Sequence, residues 1–320
     1  MTLSQPHVSV VMATYNGERY LRQQLDSILA QTYPLHEIII EDDCSTDSTT
    51  DICKEYEDRY PNVHFYENDH NLGFNLNFQT AVMRATGDFI AISDQDDIWY
   101  PTKIEKQIKA IGNHDICFSA MDMGPTEDDS FLVSPPCTLE RTMFKGIAGH
   151  ASLYRKEFIQ DKSNWIPYNY YDLGLDISAF LGSGIIKIEE PLNWHRWNSH
   201  SATRTLQRKL FSDKKIKSWE PYLYGYQAFR KMQGKMAFIN LYSKIAESTS
   251  DQRFVVAHRL STLMLRKGFL SFLELCFTCM HNRAKIYPKP EKTRGLIGVI
   301  RGFFFPCIWS YHNSDFDLKR

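Results

Sequence analysis

The apolar positions of the first 120 residues alternate between two periods. Val8 to Met12 is a continuous apolar run broken by one Ser, which predicts a strand buried on both faces. Leu21, Leu25, Ile28 and Leu29 then recur at the spacing of one helix face. Ile38 to Ile40 predicts a second short strand, and Ser45 or Asp47 is placed to cap a helix whose apolar side is Ile52, Cys53, Tyr56 and Tyr60. Val63 to Tyr66 reads as a third strand. Phe74, Phe78, Ala81, Val82 and Ala85 form a helical stripe that Gly87 ends, and Phe89 to Ile92 is a fourth strand. Pro101 opens a helix with Ile104, Ile108 and Ile111 on one side, before a fifth strand from Ile116 to Ala120. The order βαβαβαβαβ predicts an α/β fold with a doubly wound, mostly parallel, Rossmann-like sheet. Such a sheet binds ligands beyond the carboxyl ends of its strands.

From about 121 to 204 the pattern is irregular, with a Pro135-Pro136 turn and aromatic clusters such as Asn169-Tyr170-Tyr171. Loop-rich stretches of this kind carry specificity. After about 205 the chain turns basic and helical, with Val256, Leu260, Leu263 and Met264 on one face and the strongly apolar GFLSFLELCFTCM (268–280). The expected division is therefore an α/β unit, 1–204, made of a 1–120 part and a 121–204 part, followed by a helical region, 205–320.

Composition adds scale and sign. The 320 residues are 43% hydrophobic and 23% charged, enough for a sizeable core and incompatible with overall disorder. The formal charge of −1 nominates neither nucleic acid nor an acidic partner. It conceals an asymmetry: residues 1–204 hold 16 Lys/Arg against 30 Asp/Glu, and residues 205–320 hold 21 against 8. An acidic front and a basic back imply two working surfaces. Seven cysteines at irregular spacing fit reduced cytoplasmic thiols better than a disulfide framework. The opening MTLSQPHVSVVMA lacks the basic region and apolar core of a signal peptide. No run reaches the roughly 18 apolar residues of a membrane span. The nearest, LIGVIRGFFFPCIW (296–309), contains Arg301. The expected location is cytoplasmic, either soluble or on a membrane surface.

Polar residues gather at three predicted strand ends: ATYNGERY (13–20), EDDCSTDST (41–49) and SDQDDIW (93–99). Asp94, Asp96 and Asp97 repel one another and raise their own pKa values unless a cation sits among them, and hard oxygen donors suit Mg²⁺ or Mn²⁺. The plainer reading is an acid-rich start to the Pro101 helix. Cys276 and Cys279 form a C-x-x-C pair without a second pair, in apolar surroundings, so buried thiols are favoured over zinc. Trp194 and Trp197 suit a sugar face or a core equally.

The string VSVVMATYNGERYLRQQLDSILAQTYPLHEIIIEDDCSTDST (8–49), followed by NLGFN (71–75) and GDFIAISDQDDIW (87–99), resembles the inverting glycosyltransferases of the A-type fold called family 2. The likeness is close over about the first 110 residues and looser to about 200. It implies a GT-A fold whose 1–120 part binds a nucleotide-diphosphate sugar and whose 121–204 part binds a saccharide or lipid-linked acceptor. SDQDDIW further resembles bacterial rhamnosyltransferase-like members that build cell-surface polysaccharides such as lipopolysaccharide or capsule, which implies dTDP-rhamnose or a UDP-sugar as donor.

Position by position, the resemblance implies that Thr14 and Tyr15 border the nucleotide base and Asp42 bonds its ring nitrogen. Asn71 and Gly73 lie in a loop facing the nucleotide. Asp94 lies near the ribose and diphosphate, and Asp96 closes a D-x-D motif that holds Mg²⁺ or Mn²⁺. Asp97 is a cap or an outer contact. An inverting transfer also needs a base for the acceptor hydroxyl. Asp172 best fits the family spacing to Glu190-Pro191-Leu192, and Asp176, one helical turn on, is its rival. The string WHRWNSHSAT (194–203) departs from the family's spacing but offers His195, Arg196 and His200 to the metal or diphosphate.

Two other classes compete. A sugar nucleotidyltransferase would want a glycine-rich phosphate loop after the first strand, and ATYNGERY has one Gly. The other is a non-catalytic nucleotide-sugar-binding protein that kept the fold and lost the reaction, and the intact set of Asp42, Asp94, Asp96 and Asp172 speaks against it. The basic helical region is expected either to meet an anionic membrane with Phe303, Phe304, Phe305 and Trp309 inserted, or to pack on the first unit or a second subunit of a homo-oligomer.

Overall fold

The computed structural model describes residues 5–197, 219–249, 252–287 and 293–314. Its strands are β1 (Val8–Thr14), β2 (Glu37–Asp42), β3 (Val63–Glu67), β4 (Phe89–Ser93), β5 (Ile98–Trp99), β6 (Ile116–Gly124), β7 (Phe131–Val133), β8 (Ser152–Arg155) and β9 (Ile185–Arg196). Around them lie α1 (Leu21–Leu29), α2 (Thr49–Arg59), α3 (Phe74–Arg84), α4 (Lys103–Ile111), α5 (Leu139–Thr142), α6 (Lys156–Gln160) and α7 (Tyr171–Leu181). The helical region contributes α8 (Glu220–Met232), α9 (Met236–Ser248), α10 (Val255–Leu265), α11 (Phe269–His281), α12 (Arg283–Ile286), α13 (Gly295–Phe303) and α14 (Phe305–Asn313).

The sheet runs β3-β2-β1-β4-β8-β6-β9-β5, with β7 paired to β6. Its first four members are mutually parallel, so their carboxyl ends share one edge. Central strands need apolar residues on both faces, and β1 supplies them: Val8, Val10 and Met12 join a core with Leu21, Leu25, Ile52 and Ile104, while Val11 joins Phe78, Ala81 and Val82 on the other side.

The far half of the sheet is mixed. The strand at 116–120 is not the immediate neighbour of the fourth, because β8 is inserted between β4 and β6, antiparallel to both. Between residues 121 and 197 the chain accordingly adds β7, β8 and β9 to the sheet where a loop-rich stretch was expected. Its strands escape periodicity for identifiable reasons. β8 has four residues, and β9 carries Glu189, Glu190 and Pro191 where its pairing with β6 shifts register.

A third apolar cluster crosses residue 204. Leu139, Met143, Phe144, Ile166 and Ile177 pack with Phe229, Leu241, Ile245, Leu260 and Leu275. Phe303, Phe304, Phe305 and Trp309 pack against the same cluster, and the Trp309 Nε1–H donates to the Phe144 carbonyl at 2.9 Å. Phe144 meets Phe305 and Trp309 edge-on, with centroids 4.9 and 5.4 Å apart. Of the two expectations for these four aromatics, insertion into a bilayer or packing on the first unit, their contacts match the second: they are partly buried against the protein's own core, where ring packing and an indole hydrogen bond hold them. Cys276 and Cys279 are buried free thiols in that cluster, as the apolar surroundings implied. Among the described residues, no helix is long and apolar enough to cross a membrane.

Because Trp309 is partly buried and bonded to Phe144, Trp309→Ala should lower unfolding free energy in urea by about 2–3 kcal/mol, somewhat under the cost for a fully enclosed ring. A change below about 0.5 kcal/mol, the scale of an ordinary surface substitution, would show that the ring is not part of the core.

Candidate active site

Three loops leave the shared carboxyl edge of β1, β2 and β4, and side chains lace them together. Thr14 Oγ1 donates to Asp42 Oδ1 at 2.8 Å, and Ser45 gives Asp42 both its backbone N–H, at 2.7 Å, and its hydroxyl, at 2.6 Å. Asp42 and Thr14 are fully enclosed. Asp42 thus works in this structure as an internal clamp between two strand ends, rather than as an exposed acceptor for a base. Tyr15, by contrast, is half-exposed, and its backbone N–H and C=O exchange hydrogen bonds with the Gln95 amide at 2.9 and 3.1 Å. That exchange ties the β1 loop to SDQDDIW.

The next acid, Asp43, fixes the 71–73 loop. Its carboxylate accepts from the Leu72 and Gly73 N–H groups at 2.6 and 2.9 Å, and the Asn71 amide donates to its carbonyl at 2.9 Å. Gly73 has φ +77°, the left-handed region that favours glycine. Asn71 and Gly73 are therefore held at the mouth of the same edge by a residue to which sequence reasoning gave no role.

The antiparallel insertion brings the remaining groups. Since β8 runs against β4, the turn that leads into it lies beside the carboxyl end of β4, and that turn carries His150. Strand β9, parallel to β6 and paired with β5, ends on the same edge with His195 and Arg196. Asp97, wholly buried, receives both imidazoles: His195 Nδ1 lies 2.8 Å from Oδ1 and His150 Nδ1 lies 2.8 Å from Oδ2. The rings stack, with centroids 4.5 Å apart. Burial alone would raise the Asp97 pKa, but the two imidazoles outweigh it and hold the carboxyl well below the usual range. Burial would lower His195, and the charge and hydrogen bond of Asp97 instead raise it to about 9. Beneath them the buried Lys103, pushed down to about 7 by desolvation, donates to the His150 carbonyl at 3.2 Å. A Cβ at Gly149 would meet the Tyr171 hydroxyl at 2.3 Å, so the His150 turn presses directly on the start of α7.

Asp94, Asp97, His150 and His195 each place one donor atom within 4.8 Å of the others. The mixed carboxylate and imidazole set fits a divalent cation, and fits Mn²⁺ better than Mg²⁺, which demands oxygen. Asp96 is half-buried and is not in this group of four, although its charge raises His195 and Arg196 Nε donates to its carbonyl at 3.0 Å. Arg196 also lies over the rings of Tyr20 and Trp194, 4.2 and 4.4 Å from their centroids. Trp194 itself is buried and Trp197 half-exposed. His200 lies outside the described residues.

The rival acids separate cleanly. Asp176 is fully buried, and its Oδ2 accepts from the Ile147 N–H at 2.5 Å. Burial and the nearby Asp172 push its pKa well above the ordinary range. Asp172, in the first turn of α7, is partly exposed, and burial raises it to about 6 against the pull of the Leu173 N–H at 2.7 Å. Asp172 also senses His150 and Asp94 electrostatically, which puts it on the cluster's side of α7. His150 was missed in the sequence because no period or motif marks it. Only the position of the β8 turn reveals it.

Comparison with known proteins bears on the family and the fold. The profile of the family described as "Glycosyl transferase family 2" matches residues 9–166. The teichuronic acid biosynthesis glycosyltransferase TuaG of Bacillus subtilis is 36% identical over 140 residues, 42% of this chain and 56% of that one. The chain thus spans about half the length of this relative. The structure of S. aureus TarS 1-349 in complex with UDP-GlcNAc superposes with a TM-score of 0.59 at 16% identity, covering 97% of this chain and 90% of that one. The mannosyltransferase PcManGT from Pyrobaculum calidifontis, in complex with GDP-Man and Mn2+, gives 0.57 at 15% identity, covering 98% and 88%. Both likenesses bear on the fold, which is of the GT-A type. With its strand-end motifs in order and its sheet so matched, this chain carries, over residues 9–166, a domain of glycosyl transferase family 2.

Proposed function

We propose that this chain transfers a sugar from a nucleoside-diphosphate sugar to a hydroxyl of a saccharide or lipid-linked acceptor, with inversion at the anomeric carbon, in the assembly of a cell-surface polysaccharide. The observation that carries this reading is the convergence of Asp94, Asp97, His150 and His195 at the strand ends with a partly exposed Asp172 on the same side. The named activity of the Bacillus relative and the UDP-GlcNAc and GDP-Man of the two solved structures support a polysaccharide product and a nucleotide-sugar donor.

Each residue then has a task. Half-exposed Tyr15 offers its ring to the nucleotide base, while the buried Asp42 clamp and the Asn71–Gly73 loop shape the wall behind it. Asp94 and His195, two members of the convergent group of four, would hold the divalent ion together with Asp96 from the adjoining loop, whose charge reaches His195, while Asp97 with His150 fixes His195. When bound, the ion supplies positive charge beside the departing diphosphate. Asp172 accepts the acceptor hydroxyl proton as the oxygen forms its bond to the anomeric carbon. The bond to the phosphate breaks on the opposite face, and its electron pair leaves with the diphosphate. Asp176, sealed and bonded to Ile147, is a structural acid.

Two experiments probe these roles. Asp96→Ala should abolish transfer and weaken Mn²⁺-dependent nucleotide binding, as should excess EDTA on the parent protein; turnover unchanged by EDTA would sink the metal assignment. Asp172→Asn should retain donor binding and slow the chemical step by about 10²-fold or more. A base must be ionised to act, so with Asp172 near 6 the rate should be flat above about pH 7 and fall about tenfold per unit well below 6. If Asp176→Asn gave the slow enzyme and Asp172→Asn an active one, the base would lie one turn further along α7.

A further inference from the structure

Helices α11 and α13 pack side by side, and each turns apolar side chains outward. On α13, Leu296, Ile297 and Ile300 are 76, 65 and 46% exposed, whereas Gly298 and Gly302 face inward. Their i, i+1, i+4 spacing lays the three on one stripe. On α11, Leu270 is 82% exposed and Phe277 is half-exposed. An aromatic row joins these surfaces. Phe277 meets Phe303, Phe303 meets Phe304, and Phe304 meets Tyr222 of α8, each pair with centroids 5.1 Å apart. The inner two rings belong to the core, and the outer two are half-exposed. Partly buried Phe303 and Phe304 thus underlie and link the exposed apolar side chains of α8, α13 and α11. Contiguous surface of this kind on a soluble fold marks an interaction site.

The charges beside it decide what it meets. Arg266 and Lys267 precede α11, Arg294 precedes α13, and Arg301 follows Ile297 by one turn; all four are exposed. The single acid of α11, Glu274, is paired with Arg259 at 3.1 Å. A second copy of this chain docked face to face would bring the same cations together, which disfavours a two-fold contact. A ridge of aliphatic and aromatic side chains rimmed by Arg and Lys is instead complementary to an anionic bilayer, where the ridge enters the headgroup boundary and the cations meet lipid phosphate. The acidic 1–204 unit would be repelled from the same surface, which favours one orientation. We propose that the outer face of α11 and α13 docks this protein on an anionic lipid bilayer. The docking residues are other than the aromatics at 303–305 and 309, which face inward.

The test is co-sedimentation of the full chain with phosphatidylglycerol–phosphatidylcholine vesicles and with phosphatidylcholine vesicles alone. Binding is expected only to the first, and should be lost in high salt. The variant Leu296→Ser/Ile297→Ser/Ile300→Ser and, separately, Arg294→Glu/Arg301→Glu should each weaken binding about tenfold or more, with unchanged circular dichroism and melting, because all five side chains are exposed. Equal sedimentation with both vesicles, none with either, or variants that bind like the parent would overturn the proposal. So would a dimer in analytical ultracentrifugation that the triple serine variant dissociates, since the face would then belong to a second copy. Vesicle binding can fail while sugar transfer persists, so this outcome is separable from the reading of the active site.

Discussion

The buried carboxylate of Asp97, which bridges the Nδ1 atoms of the stacked His150 and His195 rings, is the contact on which the geometry of the site depends. An ion enclosed by protein loses its hydration, a penalty of several kcal/mol that only close, well-oriented partners offset. Here the partners come from two distant stretches of chain, the turn before β8 and the end of β9, and both must be in register for the charge to be tolerated. The pairing therefore couples the order of the sheet to the chemistry of its edge. Asp94 and Asp96 lie in the same short loop as Asp97, so fixing one carboxylate limits where the other two can point.

The helical region serves the site from behind. Helix α7 carries Asp172 near the strand-end cluster, while its Ile177 is buried in the apolar cluster shared with α8 to α11. Polar contacts reinforce this: Asn169 donates to the Ala237 carbonyl at 3.0 Å, and Lys244 donates to Ser178 Oγ at 2.8 Å. A carboxylate placed on a helix locked along its opposite side keeps a fixed distance from the strand ends. The charge asymmetry between residues 1–204 and 205–320 thus separates an acidic, ligand-facing unit from a basic support that also has an outer surface of its own.

Much of this was legible in the sequence, for physical reasons that differ by residue. The parallel strands were visible because a strand buried on both faces must be almost wholly apolar, as Ile38 to Ile40 and Phe89 to Ile92 are and as Val8 to Met12 is apart from Ser9. The acids at 42, 94, 96 and 97 were visible because polar clusters coincide at three strand ends, on the edge where a doubly wound sheet builds its cleft. Strand β8 was not, since four residues with one polar and one basic member carry no period, and with it went His150. The choice between Asp172 and Asp176 was also hidden. Both lie on one helix face by spacing, and only the closeness of Ile147 to Asp176 shows which of them is sealed. The aromatic tail stayed two-valued for a related reason: hydrophobicity alone does not say whether Phe303 to Phe305 and Trp309 meet lipid or Phe144, and the carbonyl of Phe144 is a partner that sequence spacing could not reveal.

The central claim, that these strand ends form a working transferase site, is tested most directly by incubating the protein and Mn²⁺ with a panel of nucleotide sugars and measuring release of nucleoside diphosphate. Release from one donor or a few, slow without acceptor and stopped by EDTA, is the result expected of the site described. Nucleotide binding with no release from any donor, with or without saccharide and lipid-linked acceptors, would contradict it and leave a binding protein that kept the fold without the reaction.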